Sequence, residues 1–238
     1  MAIAALAPKK LLTPAGLFHA GALGVILWGT LGWQGYSVMM FYFLAGSAVT
    51  RVGMAQKEAL GIAEQRSGAR GPENVWGSAL IGTLCALGVY GATWNGSSHL
   101  QAWVPLLQLA YVASIGTKLA DTCGTEIGKA YGQRTFLITT LQPVPRGTEG
   151  AVSLEGTLAG IIGSIAIATL AWFVGLVSPV GIGICAIAAF IATNIESLIG
   201  ATIEGKVAGL THDVVNILNT LIGAIVAILL ALALQSTL

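Results

Sequence analysis

The chain has 238 residues, of which 55% are hydrophobic and 9% charged, with 32 glycines, a net charge of +1 and a mean hydropathy of +0.81. An average soluble domain carries roughly 25% charged residues, so the composition excludes a disordered chain, a basic nucleic-acid binder and a secreted disulfide scaffold. It points to an all-α chain whose solvent is mostly lipid.

Charge-free runs set the predicted elements. Residues 11–50, 74–117 and 156–195 hold no Asp, Glu, Lys or Arg, and neither do the last 25. A spanning helix needs about 20 mainly apolar residues, so each long run accommodates two helices and a turn, and the last run one. The predicted spans are 15–32, 36–50, 75–93, 100–117, 156–176, 179–200 and 214–234, a polytopic bundle of about seven helices forming one integral membrane domain over 1–238. Gly32-Trp33-Gln34-Gly35, Asn95-Gly96-Ser97-Ser98-His99 and Ser178-Pro179 supply the turns. Trp28, Trp33, Trp94, Trp103 and Trp172 lie close to them, as in an interfacial aromatic belt.

Sidedness follows from alternation. The N-terminus and the 51–74, 118–155 and 196–213 segments share one side and hold all 11 Lys and Arg residues. The positive-inside rule makes that side, with the N-terminus, cytoplasmic or stromal. Met1–Ala7 lacks a basic n-region and is followed by Lys9-Lys10, unlike a secretory signal. Cys85, Cys123 and Cys185 are odd in number and widely spaced, and His19, His99 and His212 lack metal-ligand spacing, so neither a disulfide nor a zinc site is expected. Gly156-x-x-x-Gly160 and Gly205-x-x-x-Gly209 suit close helix packing.

The densest polar cluster runs from Thr117 to Lys129. On a helix, Lys118 and Asp121, Asp121 and Thr125, and Glu126 and Lys129 share faces in pairs. Self-paired charges at a wet helix end are the ordinary reading. Acids and lysines at a membrane boundary are costly, however, and usually serve a function. Two carboxylates beside hydroxyls suit Mg²⁺, a hard ion that prefers oxygen ligands and substrate phosphates. The following loop, 137–150, is shaped by two prolines and two glycines. Its Thr139, Thr140, Arg146 and Thr148 offer donors to phosphate oxygens. The 51–74 loop is glycine-rich and charged but has no Walker pattern, and a solvated linker explains it equally well. Asn194 and Glu196 end the sixth span, and Asp213, Asn216 and Asn219 recur along the seventh. Interhelical hydrogen bonding accounts for such asparagines, but less easily for an acid in apolar surroundings.

Lys118-x-x-Asp121-Thr122-x-x-x-Glu126-Ile127-Gly128, Leu137-Ile138-Thr139-Thr140 and the block from Val144 to Gly156 resemble the DUF92 membrane family. So do Lys57–Glu64 with Arg70–Val75, and Glu196–Ala201 with Asn216-x-x-Asn219-Thr220. The resemblance covers nearly the whole chain and is closest to the plant and cyanobacterial phytyl-phosphate kinase branch, with a more distant likeness to polyprenol kinases and CDP-lipid synthases. Two positions depart from the common family pattern: Glu196 replaces an Asp before Ser-Leu, and Arg146 and Glu149 replace Pro and Asn around Gly147-Thr148. The resemblance implies a kinase that converts phytyl or a related prenyl monophosphate to the diphosphate, with CTP or another nucleoside triphosphate and Mg²⁺, feeding tocopherol, phylloquinone or prenyl-lipid synthesis.

On that reading Lys118, Asp121, Glu126 and Arg146 are catalytic. Lys129, Thr139, Thr140, Gly147, Thr148, Glu149, Ser153, Asn216 and Asn219 are the expected cofactor-binding residues, with Lys118, Lys129 and Arg146 on the phosphates and Thr139, Thr140, Gly147 and Thr148 shaping the phosphate loop, and Asp121, Glu126, Glu196 and Asp213 are the candidate Mg²⁺ ligands. The expected partners are membrane lipid, a prenyl monophosphate and a nucleoside triphosphate, with no nucleic acid and the oligomeric state left open. The prenyl tail is expected between apolar helices near the fifth to seventh spans. The expected location is a plasma, thylakoid or plastid membrane, with the site on the cytoplasmic or stromal face. A cytidylyltransferase making a CDP-lipid needs the same groups. A carrier or channel is a third reading, opposed by the scarcity of charge deep within the spans and the lack of an evident inverted repeat.

Overall fold

A computed structural model describes residues 11–64, 68–203, 207 and 209–235; Met1–Ala7, Lys9-Lys10 and Gly205 lie outside them. The described elements are α1 (Pro14–Thr50), α2 (Met54–Ala59), α3 (Pro72–Asn95), α4 (Ser98–Gln101), α5 (Val104–Tyr131), β1 (Thr135–Leu137), β2 (Ala151–Ser153), α6 (Leu154–Phe173), α7 (Pro179–Thr202) and α8 (His212–Gln235). In lipid every backbone polar group must be paired within the protein, and a charge-free run does this as a helix.

α1 is two arms rather than one rod. Thr13 caps its start by accepting from the Gly16 N–H, and Pro14 takes the first helical position, where no N–H is needed. Gly32 leaves the helix with φ 66° and ψ −163°, a backbone that side chains with a Cβ rarely adopt. The chain reverses there. A Cβ placed on Gly24 would lie 3.1 Å from Cε2 of Tyr36, although 12 residues of straight helix would separate the two by about 18 Å. The ring of Trp28 meets that of Tyr36 edge-on across the same turn, with centroids 5.5 Å apart.

Five helices are long and apolar enough to cross a membrane among the described residues: α1, α3, α6, α7 and α8. The two predicted spans 15–32 and 36–50 are the arms of α1. The predicted fourth span, 100–117, is only the first half of α5, which continues through Lys118, Asp121, Glu126 and Lys129 for 28 residues. Lys118 and Glu126 bond sideways to other helices, and Asp121 pairs with Lys118, instead of the charge ending the helix in water. Large apolar side chains such as Phe18, Trp94, Ile162 and Phe173 stand on the outside, 67–80% exposed, as a lipid-facing surface requires.

α5 is the axis of the bundle. Every residue from Leu109 to Asp121 is buried, and α1, α3, α6, α7 and α8 all pack on it. Its tightest contact is with α6. A Cβ on Gly156 would fall 2.5 Å from the carbonyl oxygen of Gly124, and one on Gly160 would fall 2.9 Å from that of Ala120. The small-residue pair therefore brings two backbones together, as its spacing suggested. Between α5 and α6, β1 and β2 form an antiparallel hairpin pairing Thr135 with Ser153 and Leu137 with Ala151.

Candidate functional site

The charged loops meet at one end of the bundle around a cavity of about 560 Å³, within the usual range of about 300–1,000 Å³ for a ligand pocket. The lining comes from the last turns of α1, α5 and α7 and the first turns of α3, α6 and α8. Among the described residues, seven of nine acids line it (Glu64, Glu73, Asp121, Glu126, Glu149, Glu196 and Asp213), against three of seven Lys and Arg residues, Arg70, Lys118 and Lys129. This excess of carboxylate draws cations, and a polyanion is better accommodated there in the company of a metal ion.

Lys118 and Asp121 lie one turn apart on α5, with Nζ 2.6 Å from Oδ2. The Lys118 ammonium also donates to Oδ1 of Asn216 on α8. Glu196, from the end of α7, lies within electrostatic reach of both Lys118 and Asp121, and His212 of α8 within reach of Asp121. Three helices thus converge on the buried Lys118–Asp121 pair. The next turn of α5 is held differently. Glu126 forms an ion pair with Lys57 of α2, whose ammonium also donates to the Thr50 carbonyl at 2.8 Å. Lys57 is fully buried and Glu126 is 4% exposed, so each needs the other to offset its desolvation.

The first turns of α3, α6 and α8 carry unsatisfied N–H groups and the positive end of the helix dipole, which favour anions. Ser153 caps α6 by accepting from the Gly156 N–H at 3.1 Å. Asn74 folds back on α3 to accept from the Gly71 N–H at 3.0 Å. Arg70, immediately before α3, and Lys129 make no ion pair among the described residues.

The loop between the strands faces two ways. Its return limb, Gly147–Gly150, lines the cavity. Gly147, with φ +81°, packs against Ile62, and Gly150, with φ +74°, against Ser197 and Ala201 at the end of α7. The outgoing limb lies outside the lining: Thr139 and Thr140 are exposed at the tip. Arg146 is also outside, its Nη1 donating to the Ala130 carbonyl at 3.1 Å. Asn219 is fully buried one turn beyond Asn216, and among the described residues neither of its amide atoms has a partner. The remaining residues singled out from the sequence, namely Lys118, Asp121, Glu126, Lys129, Gly147, Thr148, Glu149, Ser153, Glu196, Asp213 and Asn216, all line the cavity.

Tyr42, Arg70, Asn74 and Thr157 line it too, and the residue pattern assigned them no role. Arg70 and Asn74 stood in one of the quoted family blocks, and that was the available signal. The oxygen donors suit Mg²⁺ in type. Among the described residues no three acids or histidines are already gathered as a metal cage.

A model of the DUF92 integral membrane proteins matches residues 1–224. The chain belongs to that family. An uncharacterized membrane protein of Synechocystis is 60% identical over 96% of this chain and 86% of its own length. The chloroplast protein VTE6 of Arabidopsis thaliana is 45% identical over 92% of this chain, which spans only 65% of that relative. An uncharacterized membrane protein of Methanocaldococcus jannaschii is 31% identical over 93% of this chain and 87% of its own length. No solved structure matches the chain.

Proposed function

We propose that this member of the DUF92 family is an isoprenoid-phosphate kinase that converts a phytyl or related prenyl monophosphate to the diphosphate at the expense of CTP or another nucleoside triphosphate. The observation that carries the proposal is the junction of an apolar, lipid-facing bundle with a cavity lined by seven acids and three helix N-termini. A lipid phosphate and a nucleotide can meet at such a boundary. The likeness to chloroplast VTE6 supports the kinase branch. On this reading both arms of α1 and the first half of α5 cross the bilayer, giving seven crossings.

In the reaction an oxygen of the prenyl monophosphate attacks the γ-phosphorus of the nucleotide. The bond from that phosphorus to the β-phosphate oxygen breaks, and the nucleoside diphosphate leaves. The acceptor is already an oxyanion and requires no strong base; the difficulty is bringing two polyanions together, so positioning and electrostatics dominate. Asp121, Glu196 and Asp213 would hold Mg²⁺, with Glu126 contributing the oxygen that Lys57 leaves available, and the ion would supply charge screening. Lys118, fixed by Asp121 and Asn216, and Lys129 contact the transferring phosphate. The first turns of α6 and α8 and the Gly147–Thr148 backbone receive the remaining nucleotide phosphates.

The test is the purified protein with phytyl, geranylgeranyl and farnesyl monophosphates against CTP, UTP and ATP, with products identified by mass. A prenyl diphosphate and a nucleoside diphosphate are expected; diphosphate with a CDP-lipid would replace the kinase by a cytidylyltransferase. Asp121→Asn keeps the shape of the side chain and removes its charge. Turnover should fall by at least about 100-fold while the protein elutes as the wild type does in detergent. Near-normal activity would remove Asp121 from the mechanism.

A further inference from the structure

A second, smaller hollow of about 60 Å³ lies between the two arms of α1 and the start of α3. Its walls are mainly apolar, from Leu23, Gly24, Tyr36, Met39, Met40 and Val75. It adjoins the large cavity: Tyr42, Arg70, Asn74 and Ser78 line both. A water needs about 10–15 Å³ on this measure, so the hollow holds about five non-hydrogen atoms, the size of one isoprene unit.

Arg70 stands at the junction and is fixed there. Its backbone is clamped by Leu11 and Thr13, at 3.1 and 3.0 Å. Its guanidinium lies 5.0 Å from the Tyr42 ring centroid and 5.9 Å from that of Phe43. A Cβ on Gly46 would lie 2.7 Å from its Nη2, so glycine leaves the seat open. Among the described residues no carboxylate pairs with it. A planar, permanently charged group with free donors suits a phosphate monoester.

We infer, resting on the kinase reading above, that Arg70 binds the acceptor phosphate and that the hollow between the α1 arms and α3 takes the isoprene unit next to it. The tail is therefore received on the α1–α3 side rather than near α6, α7 and α8, where the sequence had suggested it. The rest of the tail is too large for the hollow and lies along the bundle in lipid.

The probe is geranylgeranyl monophosphate carrying a diazirine on its first isoprene unit, irradiated with the full-length protein in detergent. Adducts are expected within residues 20–43 and 74–79, reduced at least severalfold in Arg70→Gln. Gly24→Leu, which fills the hollow, should raise KM for geranylgeranyl monophosphate at least tenfold and leave the nucleotide KM unchanged. Adducts confined to α6, α7 or α8, or a folded Gly24→Leu protein with wild-type KM, would overturn the inference. The parent reading fails separately: adducts in the hollow without phosphorylation of any prenyl monophosphate would leave the lipid site standing and remove the kinase.

Discussion

A charge inside an apolar bundle is stable only with its partner, and this chain contains two such arrangements with different purposes. Lys118 and Asp121 face the cavity with Glu196 and Asn216 around them, so their charges are available to a substrate. Lys57 lies behind Glu126 and does not line the cavity. Its work is to hold the α2 segment against α5 and to neutralise a carboxylate that would otherwise be buried alone. Removing one member of such a pair costs about 3–5 kcal/mol, whereas an apolar replacement of both can be nearly neutral. Lys57→Met should therefore lower the unfolding temperature in detergent by about 10 °C, at about 2–4 °C per kcal/mol. Lys57→Met with Glu126→Leu should regain most of that loss, although activity suffers. A double variant no more stable than Lys57→Met would mean that Lys57 stabilises through the Thr50 carbonyl and not through the acid.

At the scale of elements, the site depends on how closely α5 and α6 approach, because Asp121 and the first turn of α6 both line the cavity and the two helices meet backbone to backbone beside them. The approach is set by glycine. Gly156→Ala drives a methyl group into the Gly124 carbonyl, and a backbone atom cannot rotate away as a side chain can. Overpacking of this kind costs about 1–3 kcal/mol, and the separation of the helices should also reduce turnover. Gly183→Ala on exposed α7 is the control: its Cβ meets nothing within 4 Å, and helix propensity predicts a gain of about 0.5–1 kcal/mol. Equal melting shifts for the two variants would show that helix propensity, not the contact, sets the effect. The helices were legible because lipid enforces backbone pairing over every charge-free run, and the reversal at Gly32 was legible because it sits at a glycine turn. The length of α5 was not. A boundary drawn at Lys118 assumes that charge ends in water, but here the partners come from residues 98 and 69 positions away, in the Lys118–Asn216 and Lys57–Glu126 bonds. Spacing along one helix cannot display either. For the same reason the polar 137–150 loop gave no sign that Gly147 and Thr148 face the cavity while Thr139 and Thr140 face away.

For the whole molecule the question is which end meets the nucleotide. The lining residues on the helices come from six helix ends, the last turns of α1, α5 and α7 and the first turns of α3, α6 and α8, which lie at one end of the bundle. The opposite end is marked by the reversal at Gly32, by the hydrogen bond from the Tyr111 hydroxyl to the Gly35 carbonyl at 2.6 Å, and by Gly181 against Leu109. In the sequence all 11 Lys and Arg residues belong to the N-terminus and the segments 51–74, 118–155 and 196–213, whose described parts include the cavity lining; the turns at 33–35, 94–99 and 177–179 hold none. An excess of Lys and Arg beside span ends biases those ends toward the cytoplasmic or stromal side, and uncharged turns translocate easily, so that side is the one we propose for the cavity. Nucleotides are on that side as well, so charge distribution and proposed chemistry require the same orientation from independent premises. With Cys85, Cys123 and Cys185 replaced, single cysteines can be placed at three exposed positions: Glu58 on α2, Gln142 in the hairpin loop and Ser98 on α4. Those at 58 and 142 should react with an impermeant maleimide only from the nucleotide side of sealed vesicles, and that at 98 only from the other. Reaction of 58 and 142 from opposite sides would break the shared site. Reaction of both from the side without nucleotide would keep the fold and exclude a nucleotide-dependent kinase.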